Sequence, residues 1–184
     1  TTRVIDQPAR DNMGDIEGDI LDGAYWLVEP AADAELAIVY MGAVAPEARA
    51  AHEQLLEDIP GAGVLAVTSA DRLYRGWQDA VHRQTQGRGN RPSHIETLLS
   101  KLAPDAGLVS VLDGHPATLG WLGSVAGHDI AALGVDRFGQ SADLPDLYRE
   151  YGIDADAILD AAAAVLTRRM RLHGMAPAPR LAAE

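Results

Sequence analysis

The chain has 184 residues, is 47% hydrophobic and carries a formal net charge of -12, which places it among globular proteins long enough for one sizeable core. The acidity argues against a general nucleic-acid binder, whose phosphate contacts need clustered cations. Zero cysteines exclude a disulfide framework, a thiolate nucleophile and a Cys-based zinc site.

No apolar run approaches the ~20 residues of a membrane helix, and no signal-peptide pattern is read in the opening residues, so a cytoplasmic protein is expected. Of the 15 basic residues Lys101 alone is a lysine. A phosphate loop ending in Gly-Lys is therefore missing, and Schiff-base chemistry would rest on Lys101, which reads as a solvated charge late in a predicted helix. The first residue, Thr1, is in keeping with a fragment or processed product of something longer.

Residues 1–22 scatter Asp6, Asp11, Asp15, Asp19 and Asp22 among small residues without a period, and predict an extended arm or linker. Ala24 to Val28 is a short strand, broken by Glu29-Pro30. Leu36 to Met41 is a continuous apolar run, as expected of a strand covered on both faces. Pro46 opens a helix with Ala48, Ala51, Leu55 and Ile59 on one face, and Pro60-Gly61 stops it. Val64 to Thr68 is the next buried strand.

Ser69 caps a helix whose inner face is Leu73, Trp77, Ala80 and Val81, and Gln84 to Arg91 is an exposed loop. Ser93-His-Ile-Glu96 is a capping box that starts a helix with Ile95, Leu98, Leu99 and Leu102 inward. Leu108 to Leu112 is a third buried strand, Pro116 opens another helix, and Ile130 to Val135 is a fourth. Asp143 caps a short helix ended by Gly152, and Asp154 caps the last helix, with Ile158, Ala162 and Val165 inward. Residues 168–184 read as a tail, leaving 23–167 as the folded domain. The alternation of strand and helix implies mostly parallel strands with helices on both faces, and the early Tyr25 strand is the candidate antiparallel edge.

Several motifs imitate functional ones. Gly61-Ala-Gly63 has the spacing of a dinucleotide turn but follows a helix and opens a strand, the reverse of what places a pyrophosphate on helix amides. Gly139-Gln-Ser141-Ala-Asp143 resembles a nucleophile elbow without the closing glycine or the strand that must precede it. Asp113-Gly-His115-Pro lies at the carboxyl end of a buried strand before a helix, where open α/β sheets bind ligands, and a carboxylate near an imidazole can do acid-base work. A polar turn or an interface contact is the reading favoured over catalysis.

His52, His82, His94, His115, His128 and His173 show no metal-ligand spacing. His82, Arg83, Arg88 and Arg91 form a local basic cluster suited to phosphate or a partner's carboxylates, with a solvated loop as the plainer account. Arg168, Arg169 and Arg171 suit a helix C-terminus. No stretch forms a complete catalytic set.

Four segments together resemble one family: Val67-Thr-Ser-Ala-Asp-Arg-Leu73, Ser93-His-Ile-Glu96, Val111-Leu-Asp-Gly-His-Pro-Ala-Thr118, and Gly134 to Ile158. They are similar to the C-terminal domain of the transketolase-like thiamine-diphosphate enzymes, which include homodimeric pyruvate dehydrogenase, over about Ala24 to Val165. The resemblance implies a three-layer α/β/α sandwich on a five-stranded mixed sheet with one antiparallel edge strand. It implies thiamine diphosphate and magnesium in the full enzyme, and a homodimer in which this domain packs against the other domains and a second subunit.

The family's cofactor signature, Gly-Asp-Gly with paired Asn further on, is missing, since Asp113-Gly114 has no preceding Gly and Asn12 and Asn90 stand alone. No catalytic, cofactor-binding or metal residue is therefore carried over. Asp113, His115, Arg137 and Gln140 are kept as candidate interface or anion contacts. Asp113-Gly-His-Pro and Phe138-Gly-Gln-Ser favour the pyruvate dehydrogenase-like subgroup over transketolase itself. Two alternatives stand beside this reading: a free-standing α/β module that holds a small anion near Asp113 and Arg137, and a hydrolase using Ser141 or His115.

Overall fold

The computed structural model describes residues 13–139 and 141–174. Its elements run α1 (Met13–Asp22), β1 (Ala24–Val28), β2 (Ala34–Met41), a 3-10 turn (Gly42–Val44), α2 (Ala45–Leu55), β3 (Gly63–Val67), α3 (Ala70–Thr85), α4 (His94–Leu99) and β4 (Leu102–Leu112). There follow α5 (Ala117–Gly120), α6 (Gly123–Ala126), β5 (Asp129–Leu133), α7 (Leu144–Glu150) and α8 (Ala155–Gly174). The five strands form one sheet in the order β1-β3-β2-β4-β5, antiparallel between β1 and β3 and parallel elsewhere. The fold is the predicted α/β/α sandwich with an antiparallel edge strand.

The sheet is buried on both faces, so its central strands are apolar without alternation. Ala37, Val39 and Leu108 face the layer of α3, α4, α5 and α6 with Leu73, Ile95, Leu99 and Leu119. Leu36, Ile38, Val109 and Val111 face the opposite layer, with Ala48 and Ala51 of α2 and Ile158 and Ala162 of α8. Each fully buried Leu or Ile side chain contributes roughly 1.5–3 kcal/mol relative to exposure.

Local signals set most boundaries. Ser69 caps α3 by accepting from the Arg72 N–H. The Ser93 capping box is complete, with the Glu96 carboxylate accepting from the Ser93 N–H at 2.6 Å. The Ala157 N–H donates to Asp154 Oδ1 at 3.0 Å at the start of α8.

Five expectations need correction. Residues 13–22 are helical rather than extended. The α1 helix buries no side chain, so no apolar stripe announces it; Thr68 Oγ1 donates to the Ile20 carbonyl and tethers its last turn. The segment after Pro116 splits into α5 and α6 because Gly123 runs against β5, where a Cβ would meet Ile130 Cγ2 at 2.7 Å. β4 begins at Leu102, not Leu108, and Pro104 falls where the register with β2 jumps, so its missing N–H interrupts no ladder.

Asp143 holds the N-cap position of α7 without a side-chain cap bond, and Pro145 sets the first turn. Finally, α8 continues to Gly174, into the expected tail, because acids on three strands hold its last turns. Arg168 bonds Asp129 of β5, while Arg169 reaches Glu35 of β2 at 2.7 Å and Asp105 of β4 at 2.8 Å. Residues 175–184 of that tail and 1–12 of the arm lie outside the described residues.

Candidate functional site

In an open parallel sheet, ligands favour the crevice at the carboxyl ends of neighbouring strands whose outgoing connections leave in opposite directions. Here that point lies between β2 and β4. From β2 the chain passes through α2 to β3 on one side, and from β4 it passes through α5 and α6 to β5 on the other. Crossovers of one hand running in opposite directions must use opposite faces, and α2 and α5 do lie in opposite layers. The crevice is therefore edged by Gly42 and by Asp113-Gly-His115.

Gly42 has φ +80°, a conformation glycine adopts without strain, and a Cβ on it would stand 2.8 Å from Asp113 Oδ1. The Asp113 carboxylate thus fills the place above the strand end that an anion would take in such a crevice. A carboxylate there favours an N–H donor or a cation over an anionic ligand.

His115 is turned away from acid-base pairing. Its Nδ1 accepts the Ala117 N–H at 3.2 Å, capping α5, which puts any proton of the neutral ring on Nε2. No hydrogen bond joins His115 to Asp113 among the described residues. The turn is pinned from the segment just after β5, where the Val135 N–H donates to the Gly114 carbonyl at 2.8 Å. That approach demands glycine at 134, where a Cβ would meet the Gly114 oxygen at 2.5 Å.

Beyond Gly134 the chain forms an exposed loop. Arg137 Nη2 donates to the Glu150 carbonyl and to its Oε1, both at 2.8 Å, and its guanidinium lies 5.3 Å over the Tyr151 ring. Phe138 next to it is fully exposed. Gln140 lies outside the described residues. Ser141 is exposed in the loop that enters α7, well past the end of β5 at Leu133, so the strand a nucleophile elbow requires does not precede it. Gly61-Ala-Gly63 leads into β3, and a Cβ at 63 would strike Trp26 and Pro30, each at 2.9 Å, so packing explains that glycine.

Sequence reading missed what most of the histidines do. His52 Nε2 bonds the Ala62 carbonyl at 2.8 Å, His94 Nε2 that of Ala24 at 2.7 Å, and His128 Nδ1 that of Ala106 at 3.1 Å. His52 ties α2 to the residue before β3, His94 ties α4 to β1, and His128 ties the turn before β5 to β4, and none joins another in a metal-ligand group among the described residues. Lys101 follows α4 rather than ending it and pairs with Glu29 at 2.7 Å. No helix among the described residues is long and apolar enough to cross a membrane.

Comparison with known proteins agrees with this geometry. Transketolase from Leishmania mexicana is 23% identical, with a TM-score of 0.56 over 83% of this chain and 19% of that one. Transketolase from Campylobacter jejuni is 16% identical, with a TM-score of 0.57 over 80% of this chain and 19% of that one. A split-gene transketolase described as an inactive β4 tetramer is 17% identical, with a TM-score of 0.53 over 79% of this chain and 43% of that one. At these identities the likeness is one of fold, and the chain spans 19% of the length of the first of these structures. No curated protein matches the sequence. The sequence profile of the Transketolase-like TK C-terminal domain matches residues 23–154, from the glycine before β1 to the cap of α8. With that match across the sheet and both helical layers, the chain belongs to the family of transketolase-like C-terminal domains.

Proposed function

We propose that this chain is the non-catalytic C-terminal domain of a thiamine-diphosphate-dependent enzyme of the transketolase or pyruvate dehydrogenase type. Such an enzyme moves a two-carbon ketol or acyl fragment from a 2-keto substrate. On this reading the domain packs against the enzyme's other domains and supports a homodimer in the cytoplasm. Asp113-Gly-His-Pro and Phe138-Gly-Gln-Ser favour the pyruvate dehydrogenase-type subgroup.

The observation that carries the packing role is Phe138. The domain covers both faces of its sheet with its own helices, yet it holds this ring fully in solvent. The loop behind the ring is tied down, because Arg137 is clamped to Glu150 and the Tyr151 hydroxyl lies 3.5 Å from the Phe138 carbonyl. An aromatic side chain on a fixed support suits an anchor for a neighbouring surface. Asp113, His115, Arg137 and Gln140 are on this reading further interface contacts.

The residues present do not fit the cofactor. Thiamine diphosphate and its magnesium need one or two carboxylates on the metal and N–H or cationic donors for the diphosphate. The Asp113 carboxylate sits above Gly42 and would repel a phosphate. No chemical step is therefore assigned to this chain, and the cofactor belongs to the other domains. Titration calorimetry of the chain with thiamine diphosphate and magnesium is expected to show no binding heat. Micromolar binding would retire the proposal.

A further inference from the structure

Away from the carboxyl-edge crevice, α3 and the loop at 86–92 enclose an open groove of about 650 Å³. Arg72, Arg83, Arg88 and Arg91 line it against Asp22 and Asp79, an excess of two positive charges on a chain of net charge -12. Among the described residues no ion pair or side-chain hydrogen bond engages Arg83, Arg88 or Arg91, and Arg72 spends one nitrogen on the Leu21 carbonyl. Unneutralised guanidiniums gathered in this way repel one another, and an anionic occupant removes that repulsion.

The floor of the groove carries a second, independent signal. Gly76 lies in the interior of the 16-residue α3 and lines the groove. Among the described residues nothing stands within 4 Å of the place its Cβ would occupy. Glycine weakens a helix interior relative to alanine, and no contact among the described residues requires it here. A bare helix backbone between Arg72 and Arg83 admits the close approach of something from outside.

The geometry points to this groove as a docking site for an acidic peptide segment of a separate polypeptide, with a small residue seated on Gly76 and carboxylates meeting the arginines at either end. Length favours a peptide over a compact anion, because Arg72 and Arg83 are about 16 Å apart along α3 at the helical rise. Asp79 lies between them and repels a charge centred in the groove. Composition favours a reversible partner over permanent domain packing. Leu73 and Pro92 are the groove's only apolar side chains, whereas permanent interfaces are apolar at their core.

Fluorescence anisotropy tests this with a labelled peptide bearing glutamates at both ends of a Gly-Ala centre. The chain is expected to bind it, more weakly as salt rises. Binding should fall at least about tenfold in the triple variant Arg83→Ala/Arg88→Ala/Arg91→Ala and again in Gly76→Leu. Gly76→Leu should meanwhile raise the Tm, which separates a blocked groove from a damaged fold. Arg49→Ala, on the exposed side of α2, should leave binding unchanged. Equal binding by Gly76→Leu and the parent chain, or no binding at low salt, would overturn the proposal. So would inorganic tripolyphosphate binding more tightly than the peptide, which would mark a small-anion site instead.

Discussion

His128 is 5% exposed, and its ring is held by the Ala106 carbonyl through Nδ1, while Nε2 has no partner among the described residues. Burial lowers its pKa below the ordinary value of 6.5, against smaller raising effects from the Ala106 bond and the Asp105 charge. The unfolded chain therefore takes up this proton at a higher pH than the folded one does. Stability attached to His128 is complete above about pH 6.5 and is lost as pH falls toward the lower folded value. Urea denaturation should show the parent chain losing more stability between neutral and mildly acidic pH than His128→Gln, whose amide can still donate to Ala106. Equal losses would remove His128 as the cause. None of this was legible in the sequence, because a histidine that bonds one backbone carbonyl needs no partner at a fixed spacing. Arg169 was missed for the same reason: its acids lie on β2 and β4, far away in the chain.

At the scale of elements, β4 and α8 meet through a glycine. A Cβ on Gly107 would stand 2.1 Å from Val165 Cγ1 and 3.4 Å from Leu36 Cδ1, so the helix lies directly on the strand backbone. Gly107→Ala should therefore destabilise the chain by about 1–3 kcal/mol through overpacking. Adding Val165→Ala should recover part of that loss, so that the double variant is more stable than the sum of the single effects allows. Purely additive urea-derived values would place the strain elsewhere. Where an element carried its own signal, the sequence announced it: Ser69, the Ser93 capping box and Asp154 mark helix starts, and the apolar runs at 36–41 and 64–67 mark buried strands. α1 and the end of α8 had no such signal. The first buries nothing, and the second is held by acids from three strands.

For the whole molecule, exposure of Phe138 separates stability from assembly. Phe138→Ser should leave the urea midpoint of the isolated chain within about 0.5 kcal/mol of the parent. It should weaken the dimer of the complete enzyme in sedimentation experiments at falling concentration. An unchanged dimer would count against the docking role, and a destabilised isolated chain would show that the ring serves the fold. The sequence by itself determined the sandwich and its antiparallel edge strand, since apolar continuity, caps and helix stops are local and the central strands declare that both their faces are covered. It also carried the family, through the segments around Thr68, Ser93, Asp113 and Gly134. The tertiary structure alone decided what the side chains at the strand ends do. Asp113 lies over Gly42 because the crossovers bring the ends of β2 and β4, distant in the chain, side by side, whereas the His115 cap on α5 and the arginine groove between α3 and its following loop rest on local turn geometry that residue types alone do not specify.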